Sequence, residues 1–250
     1  MDNSGFVKVL VTTVTFMVMV TVSGCASYGV VENQQKLTAA TPTLKQHQSL
    51  SGKERINDIT VILAFSGGGS RAAALSYGVL KQLDSTSLGK QGRTLLDEVD
   101  KISAVSGGSI TAAYYGLVGK NIFNGYLESF LYQDNERQIV RKASSLSHLS
   151  SSKGRSESAI EYFDELLFNG SKIKQFSENE GPNIIINSSD LGRGVRLSFT
   201  PEYFGLLCSD AKAFPVARAI VASSAVPLLF NPIVVQNFAG CSEGTPQWLL

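Results

Sequence analysis

Two short stretches of this sequence combine small residues with groups suited to acyl chemistry. In the first, the apolar run Val61-Ile62-Leu63-Ala64-Phe65 passes directly into Ser66-Gly67-Gly68-Gly69-Ser70-Arg71. A glycine loop between a strand and a helix leaves backbone N–H groups uncovered, and such groups at a helix N-terminus favour an anion. That anion is either a cofactor phosphate or a transient oxyanion. In the second stretch, Ala104-Val105-Ser106-Gly107-Gly108 follows the G-x-S-x-G pattern with Ala in the first glycine place. The pattern demands small residues because its serine sits on a sharp strand-to-helix turn. Taken alone, Ser-Gly-Gly is an ordinary helix N-cap. The pairing alters that reading. Gly67 precedes Ser106 by 39 residues, and two consecutive strands of a parallel sheet present both loops at one carboxyl edge, where open α/β sheets bind ligands. One loop then offers a hydroxyl nucleophile and the other a set of N–H donors, the two parts that acyl transfer requires.

The elements that must position these groups are legible in the same regions. Asp58 to Phe65 is a near-continuous apolar run, as expected of a strand buried on both faces of a parallel sheet. A helix is predicted over about Ser70 to Leu83, with Leu75, Val79, Leu80 and Leu83 forming the stripe that lies on the sheet. Residues 99–118 repeat the strand, Ser/Gly turn and helix, which predicts right-handed crossovers and a layered α/β sheet. Residues 121–170 read as helices, with Ile122/Phe123, Tyr126/Leu127 and Phe130/Leu131 on one face and a capping-box spacing from Ser158 to Glu161. That face is either plain core or an apolar lid or acyl channel. Residues 142–158 are Ser-rich and read as a mobile loop. Residues 182–191 and 194–200 read as strands about a Gly-Arg-Gly turn, 215–226 as a helix with Pro215 near its first turn, and 231–238 as another strand.

Composition narrows the function further. The 250 residues are 43% hydrophobic, enough for a substantial core, and 22 basic side chains against 21 acidic ones leave no electrostatic footprint for nucleic acid. At the N-terminus, Lys8 precedes an apolar, Thr-interrupted stretch too short to span a bilayer comfortably, as in a secretory signal. It ends in Val22-Ser23-Gly24-Cys25, which resembles a bacterial lipobox. The resemblance implies a signal peptide over residues 1–24 and a lipid on Cys25. Ala26 after it, by the rules for such lipoproteins, implies the outer membrane, facing the periplasm. The alternative is an ordinary secretory signal with an incidental cysteine. Residues 25–58, polar and Gln/Ser/Thr-rich, read as a flexible tether, and residues 59–250 as the globular domain. Cys208 and Cys241 remain, in a compartment where disulfides persist, either as a bridge or as two buried thiols. With only His47 and His148 and no Cys/His cluster, neither a metal site nor a cofactor is expected.

With these motifs in place, the chain resembles the patatin-like phospholipases over roughly residues 59–250. Gly67-Gly68-Gly69-Ser70-Arg71 looks like that family's G-G-G-x-R oxyanion motif, residues 104–108 like its nucleophile elbow, and Ala222 to Pro232 like the segment preceding its catalytic Asp-Gly pair. The resemblance implies a three-layer α/β/α fold with a mainly parallel central sheet. It also implies a lipid acyl-ester hydrolase of phospholipase A or lysophospholipase type, whose partners are the acyl-ester substrate and the membrane. Ser106 would be the nucleophile, Gly67, Gly68, Gly69 and Gly107 the oxyanion donors, and Arg71 a companion of the loop. The family uses a Ser-Asp dyad without His, yet this sequence contains no Asp-Gly pair. We therefore expect a chain incomplete at its C-terminus, with a natural pseudoenzyme as the alternative. Asp190 follows a strand but precedes the Ser-Ala-Val-Pro segment and matches no dyad position.

Two other functions compete. Gly67-x-Gly69-x-x-Ala72 satisfies a dinucleotide-binding pattern, but residues 88–93 offer neither the second strand nor the acid that must hold the ribose. A non-catalytic lipoprotein using the same fold to bind lipid or a partner is the second. A Ser-His-Asp triad is disfavoured, since the one histidine after Ser106, His148, lies in the Ser-rich stretch.

Overall fold

The computed structural model describes residues 30–36, 60–89, 92–143, 154–226 and 230–238. After a two-residue β1 (Gln34–Gln35), β2 (Val61–Phe65) leads into α1 (Gly69–Ser85), and β3 (Val99–Val105) into α2 (Gly107–Val118). Then follow α3 (Asn135–Ala143), α4 (Arg155–Phe163), α5 (Gln175–Glu178), β4 (Asn183–Ser189), β5 (Arg196–Ser198), α6 (Pro201–Leu206), β6 (Ser209–Asp210) and α7 (Val216–Ser224). β2, β3 and β4 are parallel neighbours in that order, and β5 turns back antiparallel to β4. This is the expected α/β fold, a mainly parallel four-stranded sheet flanked by helices. Parallel strands need such crossovers, and the helices supply the apolar cover the sheet requires.

The sheet's centre carries the core. Ile102 and Ala104 of β3 and Ile184 and Ile186 of β4 are buried, together with most of α2. α2 is apolar nearly all round, as a helix enclosed on several sides must be. It lies close on β4, because a Cβ on Gly116 would stand 2.5 Å from Ile184 Cγ1.

The expectation for β2 is corrected. Among the described residues it pairs only with β3, and Ile62 is 59% exposed. Among the described residues, therefore, this continuous apolar run is an edge strand with one face uncovered. The stripe on α1 holds at Leu80, which is buried, and at Val79 and Leu83, which pack against the core, but not at Leu75, which is 68% exposed; Ala72, Ala73, Ser76 and Tyr77 are buried beside it. Small side chains face α2, close enough for Thr111 Oγ1 to donate to the Ala73 carbonyl at 2.9 Å.

Residues 121–170 are helical in part only. Gly119–Phe123 is a 3₁₀ turn, and Leu127–Leu131 and Asp164–Phe168 are π turns. Ile122, Tyr126 and Phe130 are buried in the main core, with Tyr77 and Tyr126 stacked at 5.8 Å and Tyr126 and Phe130 at 5.2 Å, so this face is core. The capping box at Ser158 does not form. α4 starts three residues earlier, capped by Gly154, because Arg155 N–H and Ser156 Oγ both donate to Asn231. Residues 144–153 of the Ser-rich stretch lie outside the described residues.

Residues 231–238 do not form the expected strand. Pro232 has no N–H to give a ladder. Gln236 instead pairs through both backbone groups with the Asn33 side chain, and Phe238 N–H donates to the Leu207 carbonyl. Asn33 belongs to the stretch expected to be a flexible tether, and residues 30–36 of it are fastened to the domain. β1 pairs antiparallel with β6, and the buried Arg218 of α7 reaches Glu32 at 3.0 Å and Glu157 at 2.8 Å. The rest of residues 25–58 lies outside the described residues.

Candidate active site

β3 ends at Val105, and the chain turns into α2 at Ser106 with φ 53° and ψ −127°. A serine adopts positive φ only under constraint, at a cost of order 1–3 kcal/mol. An ordinary N-cap has extended backbone and a side-chain oxygen accepting an N–H from the first turn. Ser106 stands at the N-cap position of α2 but has neither feature, so its hydroxyl does not cap the helix. Its half-buried hydroxyl has no hydrogen-bond partner among the described residues.

The elbow is pressed against the glycine loop, backbone to backbone. A Cβ on Gly107 would collide with the Gly69 carbonyl, and one on Gly108 would stand 2.6 Å from the Ser66 carbonyl oxygen and 2.8 Å from Phe65 Cβ. These are the two glycines after Ser106, and the loop beyond β2 is the reason both are needed. From the other side, a Cβ on Gly67 would lie 3.3 Å from Ser106 Cβ and 3.9 Å from Ser106 Oγ. Gly68 caps α1 at φ 141° and Gly69 follows at φ 61°, conformations that suit glycine alone. Among the described residues, the N–H groups of Gly67 and Gly68 have no hydrogen-bond partner. Neither α1 nor α2 carries an acid in its first turn, so neither helix offsets its own positive end beside the hydroxyl.

A hydrogen-bonded frame holds the turn from beneath. Ser109 donates to the Ser106 carbonyl through Oγ at 2.6 Å and N–H at 2.8 Å. Ser106 N–H donates to Ser223 Oγ at 2.8 Å, and Ser223 Oγ donates to the Asn187 carbonyl at 2.5 Å. The Asn187 side chain in turn donates to Ser103 Oγ at 3.0 Å and accepts from Ser198 Oγ at 2.8 Å. Sequence reasoning missed Ser109, Asn187 and Ser223. Ser109 stands one residue beyond the Ala104 to Gly108 motif and Ser223 lies within the Ala222 to Pro232 segment, but no spacing rule links Asn187 or Ser223 to a turn formed so far away in the chain.

The remaining candidates are placed as follows. Arg71 is exposed in the first turn of α1, and among the described residues its guanidinium has no hydrogen-bond or ion-pair partner. Asp190 is engaged in the β4–β5 turn, where Oδ1 accepts from Gly192 N–H at 2.8 Å and the main chain exchanges bonds with Gly194 and Val195. Cys208, 2% exposed, is in a disulfide. Cys25, Cys241, His47 and His148 lie outside the described residues.

A search of curated proteins finds no match to this chain. A family model described as patatin-like phospholipase matches residues 63–241, which takes in the glycine loop, the elbow and α7. With the match covering most of its length, this chain belongs to the patatin-like phospholipases, a family of serine acyl hydrolases.

Proposed function

We propose that the protein is a lipid-anchored hydrolase of phospholipid or lysophospholipid acyl esters, with Ser106 as nucleophile. In this reading Ser106 Oγ attacks the ester carbonyl carbon while its proton passes to the aspartate of the family's Ser-Asp dyad. The carbonyl electron pair moves onto oxygen, and the N–H groups of Gly67, Gly68, Gly69 and Gly107 hold that oxyanion. Collapse expels the alcohol, which takes the proton, and leaves an acyl-serine. Water attacks this ester by the same route, releasing the fatty acid and restoring the serine. Arg71 polarises the loop. Cys25 carries the lipid that places the domain at the outer membrane, and Cys241 is the partner of Cys208.

The observation that carries this reading is the strained Ser106 turn set against the glycine loop, with Gly67 beside its hydroxyl. Loss of one oxyanion donor typically costs about 3 kcal/mol of barrier, so a loop held this close by backbone contact suits the role. The test is covalent labelling of the full-length protein by a fluorophosphonate probe. Ser106 is expected to be the modified residue, and Ser106→Ala to lose both labelling and ester hydrolysis. A folded protein that takes no label would leave the fold acting as a lipid-binding module, and an unchanged hydrolysis rate in Ser106→Ala would exclude the mechanism.

A further inference from the structure

We propose that Ser223 is a positioning residue for the nucleophile, a role that rests on the hydrolase reading above. The last registered pair between β3 and β4 is Val105 with Asn187. One step further, where a continuing ladder would need another bond, the Ser223 hydroxyl stands between the two strands. It accepts the Ser106 N–H at 2.8 Å and donates to the Asn187 carbonyl at 2.5 Å. A hydroxyl can do both at once, as donor and as acceptor. The inserted oxygen lets β3 leave the sheet at Ser106 while neither backbone group is orphaned.

The support beneath it is rigid. Asn187 is 5% exposed, and its side chain is tied to Ser103, Ala104 and Ser198. Ser106 sits at φ 53°, so its backbone is biased to relax when the bond to its N–H is lost. Relaxation would move Oγ relative to the glycine loop, and displacements of about 1 Å in reacting groups cost roughly 100-fold in rate. Ser223 touches no reacting atom in this scheme. It acts through Ser106, from the last turn of a helix 117 residues away in sequence. The neighbouring Ser224 gives an internal control, since its Oγ is buried without a partner among the described residues.

The experiment compares Ser223→Thr with Ser223→Val in the full-length protein, on a short-chain p-nitrophenyl ester, with sites counted by fluorophosphonate titration. The two substituents have nearly the same shape and differ in the hydroxyl. We expect kcat per titrated site to be at least about tenfold higher for Thr than for Val, with KM within about twofold. Ser223→Ala should lose about 10- to 100-fold in kcat per site, and Ser224→Ala should retain wild-type turnover. A purely structural role would lower the number of titratable sites while leaving turnover per site unchanged, and that result overturns the proposal. Equal per-site turnover for Thr and Val overturns it as well. If Ser106→Ala remains active, the hydrolase reading itself has failed, and the Ser223 comparison is then read from the labelling rate of Ser106 alone, where loss in Val but not in Thr still supports positioning.

Discussion

Ser106 occupies a backbone conformation that only its surroundings make tolerable, and this has a measurable signature. Ser106→Gly removes the strain of positive φ, offset in part by the greater freedom of glycine in the unfolded chain. We expect the melting temperature to rise by about 2–4 °C, equivalent to about 1 kcal/mol in a chain of this size, while hydrolysis falls by at least about 10³-fold. A thermal melt of the two proteins decides it; a lower melting temperature for the glycine variant would mean that the turn is not strained. At this scale the sequence was informative because Gly107 and Gly108 have a local cause, the collision of any side chain with the loop after β2. Ser223 was not legible. A serine near the end of a helix has many uses, and only the assembled sheet shows which backbone group it meets.

The elements were legible where one interaction dominates, as in β3 with α2 or the β4–β5 hairpin. They were misread where two interactions compete. Leu75 shares the helical spacing of Val79, Leu80 and Leu83, yet it stays exposed while α1 turns Ala72 and Ala73 inward, because a close approach to α2 outweighs burial of that one larger side chain. Glycines in helices show the same competition. Gly116→Ala would gain up to about 1 kcal/mol of helix propensity, but the new methyl meets Ile184 at 2.5 Å, an overpacking cost of about 1–3 kcal/mol. Gly78, exposed in α1 with open space at its Cβ, has no such opposition. Denaturant titration should find Gly116→Ala destabilised and Gly78→Ala stabilised by about 1 kcal/mol.

A charged cluster ties the ends of these helices together: Lys120 reaches Asp84 at 2.8 Å and Asp97 at 3.0 Å. Burial pushes the Asp97 carboxyl up, but hydrogen bonds from the Thr94 N–H, the Lys120 ammonium and the Thr94 hydroxyl together hold it below its ordinary value of 3.8. A depressed carboxyl stabilises the fold fully above its unfolded value and loses that contribution as pH falls through the folded one. The melting temperature of Asp97→Asn should therefore vary less than that of wild type as pH falls below about 4. Parallel curves for the two proteins would count against this assignment.

At the scale of the whole molecule, Arg218 joins three separate pieces of chain: α7, α4 through Glu157, and residues 30–32 through Glu32 and the Val30 carbonyl. The guanidinium is 1% exposed, whereas Glu32 is 40% exposed. Arg218→Met leaves Glu157 without its bidentate partner in a largely buried position, and we expect a loss of about 3–5 kcal/mol. Glu32→Gln removes only the outer member and should cost less than about 1 kcal/mol. Chemical denaturation of both variants distinguishes this ranking from a uniform surface contribution. Composition alone read this segment as a free linker, since Val30 to Lys36 is mostly polar and its one buried polar side chain, Asn33, finds its partners in Ser209 and Gln236, far along the chain.

The fastened segment would also shorten the leash of the proposed anchor at Cys25. Thirty-three residue steps separate Cys25 from Asp58, and as a free chain they could extend to about 110 Å. With Val30 already seated on the domain, five steps remain, a reach of at most about 18 Å. The helix that clamps Val30 and Glu32 through Arg218 is the one whose final turn meets Ser106, so a lipid on Cys25 would confine the Ser106 edge to a thin shell above its own leaflet. Within that shell the effective concentration of substrate is set by the surface density of the bilayer rather than by bulk solution, and hydrolysis would fall on the host membrane before any neighbouring one.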